Sequence, residues 1–173
     1  PPDFYADIAV VAYRQPEGER RLAAVQANVT TSGGAFNPAE LIDGDLAKTT
    51  LLPAAPVDQK AWIQIEYPEP QRVCGLTFVT VGGGRGRGAG PGAQELESSD
   101  DGQQFRTVAA ISADARTIAF PPVPARFFRV SIRTQPQAAA AGAAAQAQPA
   151  AGTRIAELVL HGVTPVHRFQ DKA

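Results

Sequence analysis

The stretch Ala61-Trp62-Ile63-Gln64-Ile65-Glu66 decides the reading of this chain. Aromatic and β-branched residues dominate it, so it reads as a strand, and Tyr67-Pro68-Glu69-Pro70 ends it because proline cannot donate to a ladder. Trp62 reads as the start of a core strand rather than as a ligand contact. Upstream stands Leu41-Ile42-Asp43-Gly44-Asp45, a turn-forming loop. Downstream stands Ser98-Ser99-Asp100-Asp101-Gly102-Gln103-Gln104-Phe105. Its flanks Gln94–Ser99 and Phe105–Ile111 predict a hairpin with a tight Asp-Gly turn.

Further strands are expected at Tyr5–Tyr13, Leu22–Thr31, Val73–Val81, Thr117–Phe120, Phe127–Ile132 and Ile155–Leu160. Asn37-Pro38-Ala39-Glu40-Leu41-Ile42 predicts a single helical turn, with Asn37 as its cap and Pro38 at the first helical position. Pro53–Gln59 reads as loop. Many short strands, turn signals between them and almost no helical periodicity predict an all-β fold. The chain reads as one domain with its core over 5–162. A Gly/Arg-rich loop covers 82–92, an Ala/Gln-rich flexible loop covers 135–152, and a connecting tail covers 163–173.

Composition excludes several function classes. A net charge of −1 gives no long-range attraction to nucleic acid or to an anionic membrane. No apolar run approaches the roughly 20 residues of a membrane helix. The start, Pro1-Pro2-Asp3-Phe4-Tyr5, is not a signal peptide and suggests a segment cut from a longer protein, or a processed chain. The one cysteine, Cys74, lies in the apolar run Val73-Cys74-Gly75-Leu76 and reads as a buried small hydrophobe.

Gly84-Arg85-Gly86-Arg87-Gly88 fails as a dinucleotide fingerprint, since no helix follows it, and it lacks the interleaved aromatics of a nucleic-acid segment. His161 and His167 are spaced unlike a helical metal pair and read as surface or interdomain residues. No Gly-x-Ser-x-Gly elbow is present. Asn28-Val29-Thr30 fits a glycosylation sequon that only a eukaryotic secretory host would use.

Taken in order, Leu41–Asp45, Trp62–Glu66, Ser99–Phe105, Phe128–Ile132 and Ala156–Leu160 resemble the landmarks of discoidin-like, galactose-binding-like modules. Phe105 stands where those modules usually carry Trp, and Asp100 is an extra residue in the hairpin. The resemblance implies a jelly-roll β-sandwich of two antiparallel sheets and a non-catalytic role. At the ends, Tyr5-Ala6-Asp7-Ile8-Ala9-Val10-Val11-Ala12-Tyr13 and His167-Arg168-Phe169-Gln170-Asp171-Lys172-Ala173 look like segments flanking a β-sandwich inside large bacterial α-L-rhamnosidases. That implies an accessory domain of a glycoside hydrolase, periplasmic or secreted in a bacterium, with its catalytic residues outside this chain. The implied partner is a glycan or the catalytic domain of the same polypeptide, not nucleic acid or membrane. The alternatives are a free-standing lectin-like binder and, more remotely, an enzyme.

The resemblance also implies a structural calcium on Asp43, Asp45, Thr49 and Glu157. Lys48 occupies the spot where related modules place the threonine, and a lysine there is placed to replace the metal by ion pairing. The competing reading makes Asp43-Gly44 a turn and Glu157 a strand end. For sugars the expected contacts are rings and polar groups on loops. Phe36, Tyr67, Arg85 and Arg87 are the expected ligand-binding residues. Exposed rings are scarce, which favours packing over binding.

Overall fold

The computed structural model describes residues 25–34, 37–56, 59–81, 94–112, 116–133 and 152–163. The expected strand Tyr5–Tyr13, the Gly/Arg-rich loop, nearly all of the Ala/Gln-rich loop and the tail from 164 lie outside them. Seven strands are seen among the described residues: β1 (Asn28–Thr31), β2 (Thr50–Pro53), β3 (Lys60–Val81), β4 (Gln94–Ser99), β5 (Arg106–Ala110), β6 (Thr117–Arg133) and β7 (Gly152–His161). All their pairings are antiparallel, in the order β2-β7-β3-β6-β4-β5, with β1 beside β3.

β3 and β6 are a long ribbon shared by two layers. In the first layer β3 from Lys60 to Glu66 pairs β1 and the C-terminal part of β6, and β4 and β5 continue outward. In the second, β3 from Gly75 to Val81 pairs β7, and β2 closes the edge. The register slips between Glu66 and Gln71 and again between Val73 and Gly75. Pro68 and Pro70 on β3, and Pro121, Pro122 and Pro124 on β6, fall at this bend. Prolines remove ladder donors, so the ribbon turns from one layer into the other where it is least able to stay flat. The sequence suggested one strand on either side of each group of prolines; pairing carries each chain segment through as one bent strand. Arg126 ties the bend, donating to the Tyr67 carbonyl oxygen at 3.1 Å and pairing Glu66 at 2.7 Å.

The layers meet in one apolar cluster. Ile63, Leu96, Phe128 and Val130 come from the first, and Leu76, Phe78, Ile155 and Leu158 from the second. This is the β-sandwich that the alternation of apolar residues calls for. Cys74 is buried, with its thiol 3.6 Å from the His161 carbonyl oxygen.

Local chemistry sets the connections. Asn37 accepts from the Ala39 amide at 3.2 Å and caps a 3-10 turn at Pro38–Leu41, as expected. Glu40 accepts from the Thr50 hydroxyl at 3.1 Å, which ties this turn to β2. β2 itself was missed in the sequence: Thr50-Leu51-Leu52-Pro53 is short and ends in proline. The β4–β5 connection is a loop over 100–105, longer than a tight turn. The Asp101 carboxylate organises it, accepting from the Gln103 and Gln104 amides and the Ser99 hydroxyl at 2.8–2.9 Å. Gly102 sits at φ 73° in that loop, a left-handed conformation suited to glycine.

Candidate functional site

One end of the sandwich gathers the strand ends that flank the segments expected to meet ligand. Lys60 pairs Arg133 and Gln94 pairs Ile132 in the first layer, while Val81 pairs Arg154 and Pro53 pairs Gly152 in the second. Gly34, which follows β1, lies against the Pro53 ring and joins these two sets of strand ends. Phe36, Arg85 and Arg87 lie outside the described residues. The flanking residues Gly34, Val81 and Gln94 all belong to this end.

Tyr67 does not. It is seven residues along β3 from Lys60, roughly 20 Å away at the usual strand rise. It is also no loop residue. Its side chain is 3% exposed and meets Phe128 edge to face, with ring centroids 6.3 Å apart. Burial pushes its hydroxyl pKa up to about 12. The ring forms part of the wall of an apolar cavity of about 300 Å³, together with Val29, Leu41, Ile42, Ile65 and Leu160.

The outer face of the first layer is polar and tightly coupled. Trp62 lies on this face, half-buried, and not in the core as its position at a core strand suggested. The Arg129 guanidinium stands 4.6 Å from its ring centroid and 3.6 Å from that of Phe105. Arg129 also donates to Gln64 Oε1 at 2.7 Å. Lys60 reaches over β6 to β4, with Nζ 2.8 Å from Glu95 and 2.7 Å from Glu97. Burial works against its charge, but the two carboxylates outweigh burial and raise its pKa. Beneath these groups Arg129 Nε and Ser131 Oγ are buried without a hydrogen-bond partner among the described residues. The Trp62 and Phe105 rings are thus both engaged by a cation from the chain itself.

The Asp43 loop is sewn by its own side chains. Asp43 Oδ1 accepts from the Asp45 amide at 2.8 Å, and Asp45 Oδ1 from the Ala47 amide at 3.0 Å. Lys48 Nζ lies 3.2 Å from Asp43 Oδ2 and 3.4 Å from Asp45 Oδ2. The Asp45 amide, then the Lys48 ammonium, hold the Asp43 carboxyl below its ordinary pKa, and the two carboxylates raise that of Lys48. Glu157 is on β7 opposite Val79 and is not gathered with the two aspartates: no group of three or more His, Cys, Asp or Glu that would hold a metal occurs among the described residues. This arrangement does not suit calcium, which takes about six to eight oxygens and tolerates no cation among them.

A protein-family model, the F5/8 type C domain, matches residues 24–146. The chain belongs to this family. Among solved structures this F5/8 type C domain is similar to a CBM32 module produced by Clostridium perfringens (CpGH89CBM32-6), at 14% identity and TM-score 0.53, covering 82% of this chain and 98% of that one. It is similar to chitosan-binding module 1 of a chitosanase/glucanase from Paenibacillus sp. IK-5, at 16% identity and TM-score 0.54, over 82% and 98% of the two chains. It is also similar to a rhamnosidase from Novosphingobium sp. PP1Y, at 24% identity and TM-score 0.56, covering 86% of this chain but 12% of that one. These likenesses bear on the fold, which is that of carbohydrate-binding modules. No match was found among curated proteins.

In this F5/8 type C domain the remaining sequence-predicted residues are scattered. Thr49 precedes β2, and Thr50 rather than Thr49 makes the link to Glu40. His161 is half-buried, its Nε2 2.8 Å from the Thr77 hydroxyl, and burial lowers its pKa. The Arg129 stack and the Lys60 bridge escaped sequence reading. Their signal was present as the period of two in Lys60, Trp62 and Gln64, which places all three on one face, but their partners on β4 and β6 are distant in sequence.

Proposed function

We propose that this chain is a non-catalytic accessory module of a carbohydrate-active enzyme of the α-L-rhamnosidase type, and that it packs against and shapes the catalytic domain rather than capturing glycan. The family match supports the module reading. The similarity to a stretch covering 12% of the Novosphingobium rhamnosidase supports a place inside a longer enzyme. The setting is the periplasm or the exterior of a bacterium.

The observation that carries the packing role is the fate of the rings. Every aromatic side chain among the described residues has an internal partner. Trp62 and Phe105 hold Arg129. Tyr67, Phe78, Phe127 and Phe128 are buried, and Phe120 packs against the core. A sugar-stacking platform needs a ring face open to solvent, and these faces are taken.

Calorimetric titration of the chain with rhamnosides, galactosides and uronates tests the reading. No binding at millimolar ligand is expected. The parent enzyme with the module deleted should unfold at a lower temperature. Sub-millimolar glycan binding together with an unchanged parent enzyme would overturn the packing role in favour of a lectin-like module.

A further inference from the structure

The place where a calcium ion is expected from the resemblance holds an ammonium group. We infer that Lys48 is a built-in substitute for the cation: it bridges Asp43 and Asp45 from within the chain, so the loop keeps its shape without metal, and calcium gains entry once the lysine is removed.

Three features of the loop carry this. First, the bridging is symmetrical, with Lys48 Nζ 3.2 Å from Asp43 Oδ2 and 3.4 Å from Asp45 Oδ2. Each aspartate therefore turns one oxygen to the ammonium. Second, the other oxygen of each is already spent on the chain, Oδ1 of Asp43 on the Asp45 amide and Oδ1 of Asp45 on the Ala47 amide. The carboxylate oxygens that accept no backbone amide in this loop are the ones that Lys48 holds. Third, the Lys48 amide donates to the Asp45 carbonyl oxygen at 3.1 Å, so the backbone returns the lysine to the carboxylates it serves. A calcium ion would need those same oxygens at about 2.3–2.6 Å and would meet a like charge beside them.

Thermal unfolding of the chain, measured in chelator and in about 10 mM calcium chloride, tests the inference at the weak end of known calcium affinities. The native chain should give the same Tm in both. Lys48→Met keeps the aliphatic stem and loses the charge. It should melt lower than the native chain in chelator and gain about 3–5 °C from calcium, the shift that a site of roughly millimolar affinity produces at this ligand excess. Calcium should move the amide NMR signals of Asp45 and Ala47 in that variant. Lys48→Arg, which restores a cation, should be blind to calcium. A calcium-dependent rise in the native Tm would overturn the inference. So would a Lys48→Met chain that does not respond to calcium, because Lys48 would then be an ordinary surface partner of the two aspartates.

Discussion

Arg129→Ala is the perturbation that separates a structural stack from a ligand platform. The guanidinium lies 3.6 Å from one ring centroid and 4.6 Å from the other, and it donates to Gln64 at 2.7 Å. A cation over a ring contributes about 0.5–1 kcal/mol when exposed and about 2 when desolvated. A hydrogen bond from a charged group adds about 1.5–3 kcal/mol. Against these stands the burial of a guanidinium whose Nε has no partner among the described residues, which offsets part of the gain. The net cost of the substitution is about 2–4 kcal/mol, and at about 2–4 °C per kcal/mol for a domain of this size Tm should fall by roughly 4–16 °C.

Urea unfolding provides the assay. Its midpoint should drop with an unchanged slope if the native state alone is affected. Arg126→Ala is the internal control. That side chain is more exposed and lies 5.2 Å from the Phe127 ring centroid, so its loss should cost about 1 kcal/mol. The reasoning fails if Arg129→Ala is no more destabilising than Arg126→Ala. It also fails if Trp62→Ala leaves stability untouched while abolishing a glycan interaction.

Asp101→Asn should reshape the acid limb of stability. Backbone amides of Gln104 and Gln103 and the Ser99 hydroxyl hold the Asp101 pKa down from 3.8 to about 2. A depressed folded pKa stabilises above the unfolded value and loses that contribution as pH falls through the folded one. The Tm of the native chain should therefore drop between about pH 4 and pH 2, and the asparagine variant should show a shallower drop in that window. Gly152→Ala should disrupt the β2–β7 edge, because its Cβ would lie 2.6 Å from the Leu52 carbonyl oxygen; a loss of about 1–3 kcal/mol in chemical unfolding is expected. Phe128→Ala empties the centre of the cluster at a residue 1% exposed and should cost about 3–5 kcal/mol, read as a large fall in the urea midpoint.

How much of this was legible in the sequence differs by level. Strand after strand could be read, because a half-buried strand writes its period of two into its own residues, as Phe128, Val130 and Ile132 do. The Asn37 cap was equally local and equally readable, and Asp101-Gly102 marked the hairpin though not the length of its loop. Proline misled at Pro68-Glu69-Pro70, where it signalled an end and the chain supplied a bend. β2 escaped because its strand character comes from pairing with β7 rather than from its own four residues.

The candidate site was hardest to read. Tyr67 has the neighbours of a loop residue, yet its ring is inside. Trp62 has those of a core residue, yet its ring lies outside, because the strand's alternation assigns it to the opposite face from Ile63. Sequence alone marked most of the segments that form strands, the family they resemble and the residue types on hand. Only tertiary structure decided which ring meets which cation, because Arg129, Trp62 and Phe105 come from separate parts of the chain and find one another through the β3–β6 register and the turn after β4. Lys48 is the intermediate case: its spacing from Asp43 and Asp45 made the ion pair conceivable, and the folding back of the loop made it an observed contact.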